Sequence, residues 1–252
     1  MKTIAFLFPG QGSQKPGMGE DVYREFFAAR DVFETAETAT GLPIRSICFK
    51  GSADELTATV YQQPAVTTLN LALLNCIFSA GIRPAICAGH SLGEYSALAA
   101  AGVLSVHDCI KLVHKRGELM QREAIRTKGA MKAVIGLDIT RVAKIVSSTA
   151  QKGPVSIANH NSADQVVITG APEEVEKAGS LAEREGARVI PLRVNGAWHS
   201  PLINGALESF QKYLSGIRFH PPRCRVFHNV TAAEEYNPFL IKKLMSLQFC
   251  TR

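Results

Sequence analysis

The pattern of hydrophobic and polar positions divides the first 125 residues into short apolar runs and longer amphipathic stretches. The apolar runs predict strands at 3–8 and 85–88, and the amphipathic stretches predict helices at 22–40, 63–79 and 93–101. Strands and helices that alternate in this way are typical of a parallel sheet with helices on both faces. We therefore predict an α/β fold.

The pattern changes between residues 131 and 194. The elements predicted there follow the order β-α-β-β-α-β, which is the order of a split βαβ unit. They are strands at 131–137, 155–159, 165–169 and 188–194 and helices at 140–151 and 172–185. We therefore predict an inserted subdomain at 129–195, within a core domain formed by 1–128 and 196–252. A last helix is predicted at 238–246, and because the chain ends soon afterwards without an evident stop, at Arg252, a truncated chain is an open alternative.

Composition and charge argue against several classes of function. The chain has 252 residues, of which 46% are hydrophobic, and its formal net charge is +6. The basic residues are dispersed and only 7% of the residues are aromatic, which argues against nucleic-acid binding. No apolar stretch approaches the roughly 18 residues of a membrane span, so we expect a soluble, cytoplasmic protein. The charge suits an acidic partner or an anionic substrate, but it also fits a merely basic surface.

The spacing of cysteines and histidines predicts no metal site. The six cysteines lie apart without a C-x-x-C pair, and the seven histidines include no H-E-x-x-H pattern. Most of the cysteines have apolar neighbours, so we predict buried free thiols rather than a disulfide framework.

The strongest chemical motif lies at residues 89–93, which read G-H-S-L-G. They fit the G-x-S-x-G pattern between a predicted strand and a predicted helix, the context in which this pattern holds a nucleophilic serine on a sharp turn. Small flanking residues are needed there, and the hydroxyl then projects at a helix N-terminus, which stabilises developing negative charge. We predict that Ser91 is the nucleophile; the alternative is an ordinary glycine turn that carries a chance serine.

Residues 89–98 (GHSLGEYSAL) resemble the G-H-S-x-G-E motif of the malonyl-CoA:acyl carrier protein transacylases. Four other motifs occur in the family's order, at 8–14 (FPGQGSQ), 129–131 (GAM), 159–162 (NHNS) and 196–202 (GAWHSPL). The resemblance covers nearly the whole chain. It implies a hydrolase-like parallel sheet core with an inserted ferredoxin-like subdomain, which agrees with the elements predicted above.

A serine hydroxyl needs a base that accepts its proton. His199 follows the predicted strand 188–194 and a turn at Asn195 and Gly196, and open α/β sheets build their sites at such carboxyl ends of strands. The resemblance implies that His199 is the catalytic histidine. It further implies that a backbone carbonyl of Gln248, rather than an acidic side chain, orients this histidine; an ordinary helical glutamine is an equal alternative at that position.

Acyl transfer passes through a tetrahedral oxyanion that needs N–H donors. The N–H of Leu92, the residue after the nucleophile, is one expected donor. The loop of Gly10, Gln11 and Gly12 follows the first predicted strand, and its glycines allow a close approach of the backbone. The resemblance assigns Gln11 to the oxyanion hole, while a turn shaped by the two glycines is the alternative.

Arg116 is the main indication of the substrate. Ser105 and Asp108 predict a capping box that opens a helix, and at about 100° per residue Arg116 falls near the middle of its apolar face. A buried arginine needs an anionic partner, because an unpaired buried charge is very costly. That partner is either a protein carboxylate or a substrate carboxylate bound by the guanidinium. The resemblance implies the free carboxylate of malonyl, which would select malonyl over acetyl.

Three further residues are predicted near the site. The family tends to place a phenylalanine where this chain has Trp198, so the aromatic wall is kept but enlarged, and the size of the acyl pocket stays open. Asn161 is a candidate contact for the carrier arm of the thioester. His90 is expected to pack or to form hydrogen bonds near the substrate.

The resemblance implies a two-step exchange. Ser91 takes malonyl from malonyl-CoA, and the phosphopantetheine thiol of acyl carrier protein then takes it from the serine ester, which feeds fatty acid synthesis. No metal or redox cofactor is expected; the CoA thioester is the substrate. Three alternatives stay open: a serine hydrolase or thioesterase on the same turn, an acyltransferase with another acyl preference, and a non-catalytic carrier-binding protein.

Overall fold

Strands and helices make up most of the computed structural model, which describes residues 3–194 and 196–250. The strands in these residues are β1 (Ala5–Phe8), β2 (Ile86–Gly89), β3 (Ala130–Ile135), β4 (Val155–Ser162), β5 (Gln165–Gly170), β6 (Arg188–Pro191) and β7 (Arg225–Phe227). The α-helices are α1 (Glu20–Glu25), α2 (Phe27–Thr40), α3 (Ile44–Lys50), α4 (Thr59–Ser79), α5 (Gly93–Ala100), α6 (Val106–Arg126), α7 (Ile139–Thr149), α8 (Pro172–Arg184), α9 (Leu207–Ser215) and α10 (Pro238–Gln248). Two 3-10 helices cover Glu55–Thr57 and Pro201–Ala206.

The chain divides into two compact units. The first unit comprises Met1–Glu118 and Phe210–Met245, and the second comprises Leu119–Ser209 and Ser246–Arg252. Helix α6 begins in the first unit and ends in the second.

A parallel sheet of three strands, in the order β1-β2-β7, organises the first unit. The predicted parallel sheet with helices is therefore confirmed. Helix α4 carries apolar and uncharged polar residues on all sides. Such a helix is stable only when other elements cover it, and α4 packs against α2 and α5. Parallel strands end at the same edge of a sheet, so the segments after Phe8, Gly89 and Phe227 meet there.

An antiparallel sheet in the order β4-β5-β3-β6 organises the second unit. The elements follow the order β3-α7-β4-β5-α8-β6, which is the β-α-β-β-α-β order predicted from the sequence. Buried residues of α7 and α8, among them Ile145 and Val175, pack with Val134, Val166 and Ile168 of the sheet. The sheet and its two helices thus share one hydrophobic core.

The predicted helix at 22–40 is confirmed except at Phe26, where the structure divides it into α1 and α2. Phe26 between them is extended, with φ −116° and ψ 123°. The guanidinium of Arg30 in α2 donates hydrogen bonds to the carbonyl oxygens of Tyr23 and Arg24 at the end of α1. These bonds satisfy carbonyls that would otherwise lack partners at a helix end, and so they stabilise the break.

Other differences concern short elements and helix starts. Helix α4 begins at Thr59 rather than 63 and continues through Pro64, which removes one N–H donor inside the helix. Three short elements were not predicted from the sequence: α3, α9 and β7, which span seven, nine and three residues. Strand β7 is too short to show a two-residue period, although it completes the parallel sheet.

None of the helices within residues 3–194 and 196–250 has both the length and the apolar character needed to cross a membrane.

Candidate active site

Ser91 lies on the sharp turn between β2 and α5. Its φ of 47° is in the left-handed region, which costs a non-glycine residue on the order of 1–3 kcal/mol. The flanking glycines make the turn possible: a Cβ on Gly89 would lie 2.1 Å from the main chain of Gly93, and one on Gly93 would lie 2.2 Å from the carbonyl oxygen of Phe8. The structure therefore has the strand, turn and helix that the motif predicts.

Asn229 holds this turn from a distant segment, and it was not among the residues predicted from the sequence. Its Oδ1 accepts a hydrogen bond from the N–H of Ser91 at 2.7 Å, and its Nδ2 donates to the carbonyl oxygen of Gly89 at 2.7 Å. It comes from the segment that follows β7, the neighbour of β2. In the sequence, the polar pair His228 and Asn229 comes directly after a short apolar run. Because site residues often follow strands, this pair was the signal that could have identified Asn229.

Glu94 and His228 form a buried pair beside the same turn. The two side chains are at most 1% exposed, and Nδ1 of His228 lies 2.8 Å from Oε1 of Glu94. The N–H of Asn229 donates to the other carboxylate oxygen, Oε2, at 3.3 Å. A buried carboxylate requires such donors. The pair therefore ties the first turn of α5 to the segment after β7.

The two predicted oxyanion donors lie close to this turn. Leu92 is buried, and its N–H donates to no group in the described part of the chain, so it is available to a ligand. The loop after β1 approaches the turn, since a Cβ on Gly10 would lie 2.3 Å from the carbonyl oxygen of His90. The side chain of Gln11 is held by hydrogen bonds with Gln62 and Gln63 at 2.5 and 3.4 Å.

Arg116 is fully buried on α6, as its place on the apolar face of the helix predicts. The helix begins as predicted too, because the Asp108 N–H donates to Ser105 Oγ at 3.0 Å. The Nη2 of Arg116 donates to Ser91 Oγ at 3.4 Å, and its guanidinium carbon lies 5.5 Å from the centre of the Tyr95 ring. Burial raises the pKa of the Tyr95 phenol far above its usual value, although Arg116 acts to lower it, so the neighbouring ring is uncharged. A permanent cation thus lies beside the serine hydroxyl.

His199 lies on a second turn at positive φ, with φ 55°. Its side chain is buried, and Nδ1 lies 2.8 Å from the backbone carbonyl oxygen of Gln248. A carbonyl oxygen only accepts, so the ring donates from Nδ1, and Nε2 carries the lone pair that can accept a proton. Gln248 is the last residue of α10, and carbonyls at a helix end lack partners within the helix. The hydrogen bond expected for Gln248 is therefore present.

The remaining predicted residues have different environments. Trp198 is buried, and a Cβ on Gly196 would lie 2.6 Å from its ring. Asn161 is exposed on β4, where its Nδ2 donates to Oε1 of Gln165 at 3.3 Å. His90 is exposed, and its carbonyl oxygen accepts from the N–H of Gly93 at 2.8 Å. Of the other predicted features, the turn residue Asn195 and the terminal Arg252 lie outside the described residues.

The cysteines are free in the structure, and burial raises the pKa of the Cys48 thiol to about 12. The described part of the chain contains no group of three or more histidine, cysteine, aspartate or glutamate side chains that could hold a metal ion. The first unit contains Gln11, His90, Ser91, Leu92 and Arg116, and the second contains Asn161, Trp198, His199 and Gln248.

Comparisons with known proteins agree on one family. Residues 5–244 match the family described as acyl transferase domain. The malonyl CoA-acyl carrier protein transacylase of Bacillus subtilis (strain 168) is 42% identical over 234 residues, which cover 92% of this chain and 74% of that protein. The crystal structure of acyl-carrier-protein-S-malonyltransferase from Bartonella henselae has a TM-score of 0.95 at 38% identity, covering 100% of this chain and 82% of that one. A malonyl-transacylase solved in complex with its type II PKS acyl-carrier protein has a TM-score of 0.94 at 36% identity, covering 99% of this chain and 82% of that one.

Proposed function

The chain belongs to the acyl transferase domain family, and on this basis we propose that it transfers malonyl from malonyl-CoA, through an ester on Ser91, to the phosphopantetheine thiol of acyl carrier protein. The names of the relatives support both the acyl group and the acceptor. The solved complex of a similar transacylase with its carrier protein supports the acceptor as well. The observation that carries the proposal in this chain is the buried guanidinium of Arg116, 3.4 Å from Ser91 Oγ.

Arg116 supports malonyl as the acyl group for a geometric reason. In a malonyl ester one methylene separates the ester carbonyl from the free carboxylate, so the carboxylate stays close to the serine oxygen. The guanidinium beside that oxygen can bind a carboxylate through two parallel N–H groups. An acetyl group would leave this interaction unmade, and a site built to bind a polar group discriminates strongly against a ligand that lacks it.

The proposed reaction exchanges one thioester for another through the serine ester. His199 takes the proton of Ser91 as Oγ attacks the carbonyl of malonyl-CoA, and the sulfur of CoA leaves with that proton. The carrier thiol then gives its proton to His199 and attacks the ester carbonyl, and Ser91 regains the proton. Because thioester, ester and thiol simply exchange the acyl group, the balance requires no metal or redox cofactor.

Other residues of this chain are assigned to stabilising and orienting roles. The N–H groups of Leu92 and Gln11 stabilise the oxyanion. The carbonyl of Gln248 holds His199 with Nε2 as the base, and its place at the C-terminal end of α10 favours the imidazolium that forms. The Trp198 ring limits the size of the acyl group, while His90 and Asn161 are assigned to contacts with the substrate.

We further assign 129–195 to an inserted ferredoxin-like subdomain and 1–128 with 196–252 to a hydrolase-like core. The strand order β4-β5-β3-β6 with helices α7 and α8 supports the first assignment, and the parallel sheet with a serine on the strand-to-helix turn supports the second. The cytoplasmic location stays a prediction from the sequence.

Intact-protein mass spectrometry tests the proposed function. Mixed with malonyl-CoA, the protein should gain the mass of one malonyl group, and Ser91→Ala should gain none, whereas Ser79→Ala on the exposed end of α4 should behave like the wild type. Added phosphopantetheinylated carrier protein should remove the malonyl group and acquire it. Absence of malonyl on the wild-type protein would contradict the proposal, and steady release of CoA with free malonate would favour a hydrolase.

The acyl preference is tested by Arg116→Ala. Because the substitution leaves the malonyl carboxylate without its cation, we expect malonylation to slow by about 10²–10³-fold, while acetylation from acetyl-CoA changes little. Arg126→Ala, a more exposed arginine on the same helix, is the matched control. Unchanged malonylation of Arg116→Ala would rule out the anchor and leave the serine chemistry untouched.

A further inference from the structure

We propose that Asn229 is a positioning residue for Ser91 and that Glu94 and His228 in turn hold Asn229. The inference rests on the proposed function, because it needs Ser91 as the nucleophile. Asn229 does not touch the acyl group in this proposal; it acts by fixing the main chain on which the serine hydroxyl is carried.

The side-chain amide of Asn229 continues the hydrogen bonding between β2 and β7 beyond their last paired residues. The pairing of these strands ends at Ala88 and Phe227. The carbonyl of Gly89 and the N–H of Ser91 come next along the chain, and the amide of Asn229 bonds both of them at 2.7 Å. An amide has a donor and an acceptor in one plane, as a peptide group does, so it can serve both partners at once.

Ser91 depends on such support because of its place between two elements. It lies between the end of β2 at Gly89 and the start of α5 at Gly93, and its N–H donates to Oδ1 of Asn229. Its φ of 47° is also outside the range that regular structure would maintain. The bond to Oδ1 of Asn229 therefore selects the backbone conformation in which Ser91 projects from the turn.

Glu94 and His228 fix the main chain from which the Asn229 amide extends. Oε2 of Glu94 accepts the N–H of Asn229 at 3.3 Å, and Oε1 lies 2.8 Å from Nδ1 of His228. A carboxylate oxygen accepts, so His228 donates from Nδ1, and its buried Nε2 has no hydrogen-bond partner in the described part of the chain. The pair therefore holds His228 and Asn229 against the first turn of α5, the helix that begins just after Ser91.

This arrangement predicts an effect on the chemical step rather than on the binding of the acyl donor. Arg116, assigned to the malonyl carboxylate, belongs to α6, whereas Asn229 belongs to the segment after β7 and bonds the main chain of Gly89 and Ser91. Loss of the Asn229 amide should let the turn relax and move Oγ, and a displacement of about 1 Å can cost about 10²-fold in rate. The KM for malonyl-CoA should change far less than kcat.

The test compares Asn229→Ala and the isosteric Asn229→Asp with the wild type. Each variant is checked for folding by circular dichroism and urea denaturation, and malonylation is followed by rapid quench and mass spectrometry. We expect kcat to fall about 10²-fold in both, with KM within about threefold, because Asp keeps the acceptor for Ser91 but cannot donate to Gly89. Asn204→Asp, an exposed site with the same chemical change, is the control and should match the wild type.

The role of the buried pair is tested by rescue. His228→Leu should slow malonylation about tenfold, and His228→Asn, whose amide nitrogen can replace Nδ1 as donor to Glu94, should restore most of that loss. If Asn229→Ala does not fold, Asn229→Asp decides the question alone. Folded variants of Asn229 with wild-type kcat would overturn the inference, while a wild-type protein that is not malonylated would instead overturn the proposed function.

Discussion

The turns that carry Ser91 and His199 both place a residue other than glycine at positive φ, but different groups hold them. At Ser91 the main chain is held, since the Asn229 side chain bonds the N–H of Ser91 and the carbonyl of Gly89. At His199 the side chain is held, since Nδ1 bonds the carbonyl of Gln248. The serine turn thus uses a side chain to fix a backbone, and the histidine turn uses a backbone to fix a side chain.

The difference follows from the number of torsions between the main chain and the reactive atom. Serine has one torsion between Cα and Oγ, and this torsion has three staggered wells, so a fixed backbone nearly fixes the hydroxyl. Histidine has two, and the second is broad, so a fixed backbone still leaves the ring free to turn. A reactive histidine therefore needs a hydrogen bond to the ring itself, whereas a reactive serine is positioned mainly through its backbone.

The largest expected effect comes from removing the ring at the second turn. Asparagine tolerates positive φ better than most residues, so His199→Asn should keep the turn while removing the base. We expect the rate of malonylation to fall by about 10³-fold at neutral pH, measured by rapid quench, with little change in the urea midpoint. His107→Asn, on an exposed part of α6, is the matched control. A fall of less than about tenfold would mean that His199 is not the base.

An intermediate effect is expected when a Cβ is added to a glycine in each of the two turns, because the added atom would meet different neighbours. A Cβ on Gly93 would meet the carbonyl oxygen of Phe8 at 2.2 Å, whereas a Cβ on Gly196 would meet ring carbons of Trp198 at 2.6 Å. A ring can shift more readily than the main chain next to a sheet. We therefore expect Gly93→Ala to lower the free energy of unfolding by about 3 kcal/mol and Gly196→Ala by about 1 kcal/mol, measured by urea denaturation.

Gly216→Ala is the control for these two substitutions, because the nearest atom to its added Cβ would be 3.6 Å away. It should leave stability unchanged or raise it by up to about 1 kcal/mol. If Gly93→Ala and Gly196→Ala lowered the free energy of unfolding equally, the two turns would not differ in packing against main chain and against a side chain.

The smallest effect is expected at Gln248, because its contribution comes from the main chain. Gln248→Met keeps an unbranched side chain of similar length and keeps the carbonyl that bonds His199. We expect kcat for malonyl transfer to fall by no more than about fivefold, from altered packing of a buried side chain. A loss near that of His199→Asn would show that the side chain of Gln248, and not its carbonyl, holds the ring.

The local features of the fold and of the candidate site could be predicted from the sequence. The β-α-β-β-α-β order followed from periodicity, and the burial of Arg116 followed from its angular position on one helix. The turn at Ser91 could be predicted because its steric requirement, two glycines around one serine, lies within five consecutive residues. The break at Phe26 could not be predicted, because the hydrophobic pattern of residues 22–40 is that of one continuous helix. The break is stabilised by the side chain of Arg30, which folds back onto α1.

Contacts between segments that are distant in the sequence could be identified only from the folded structure. The bond from His199 to Gln248 joins residues 49 apart and was expected only from the family resemblance, while the bond from Ser91 to Asn229 joins residues 138 apart and was not expected at all. Steric rules within a turn act on neighbours in the chain and can be recognised in a short motif. The partner of the Ser91 amide depends instead on which strand lies beside β2, and the three residues of β7 carry too little pattern to show that it is this one.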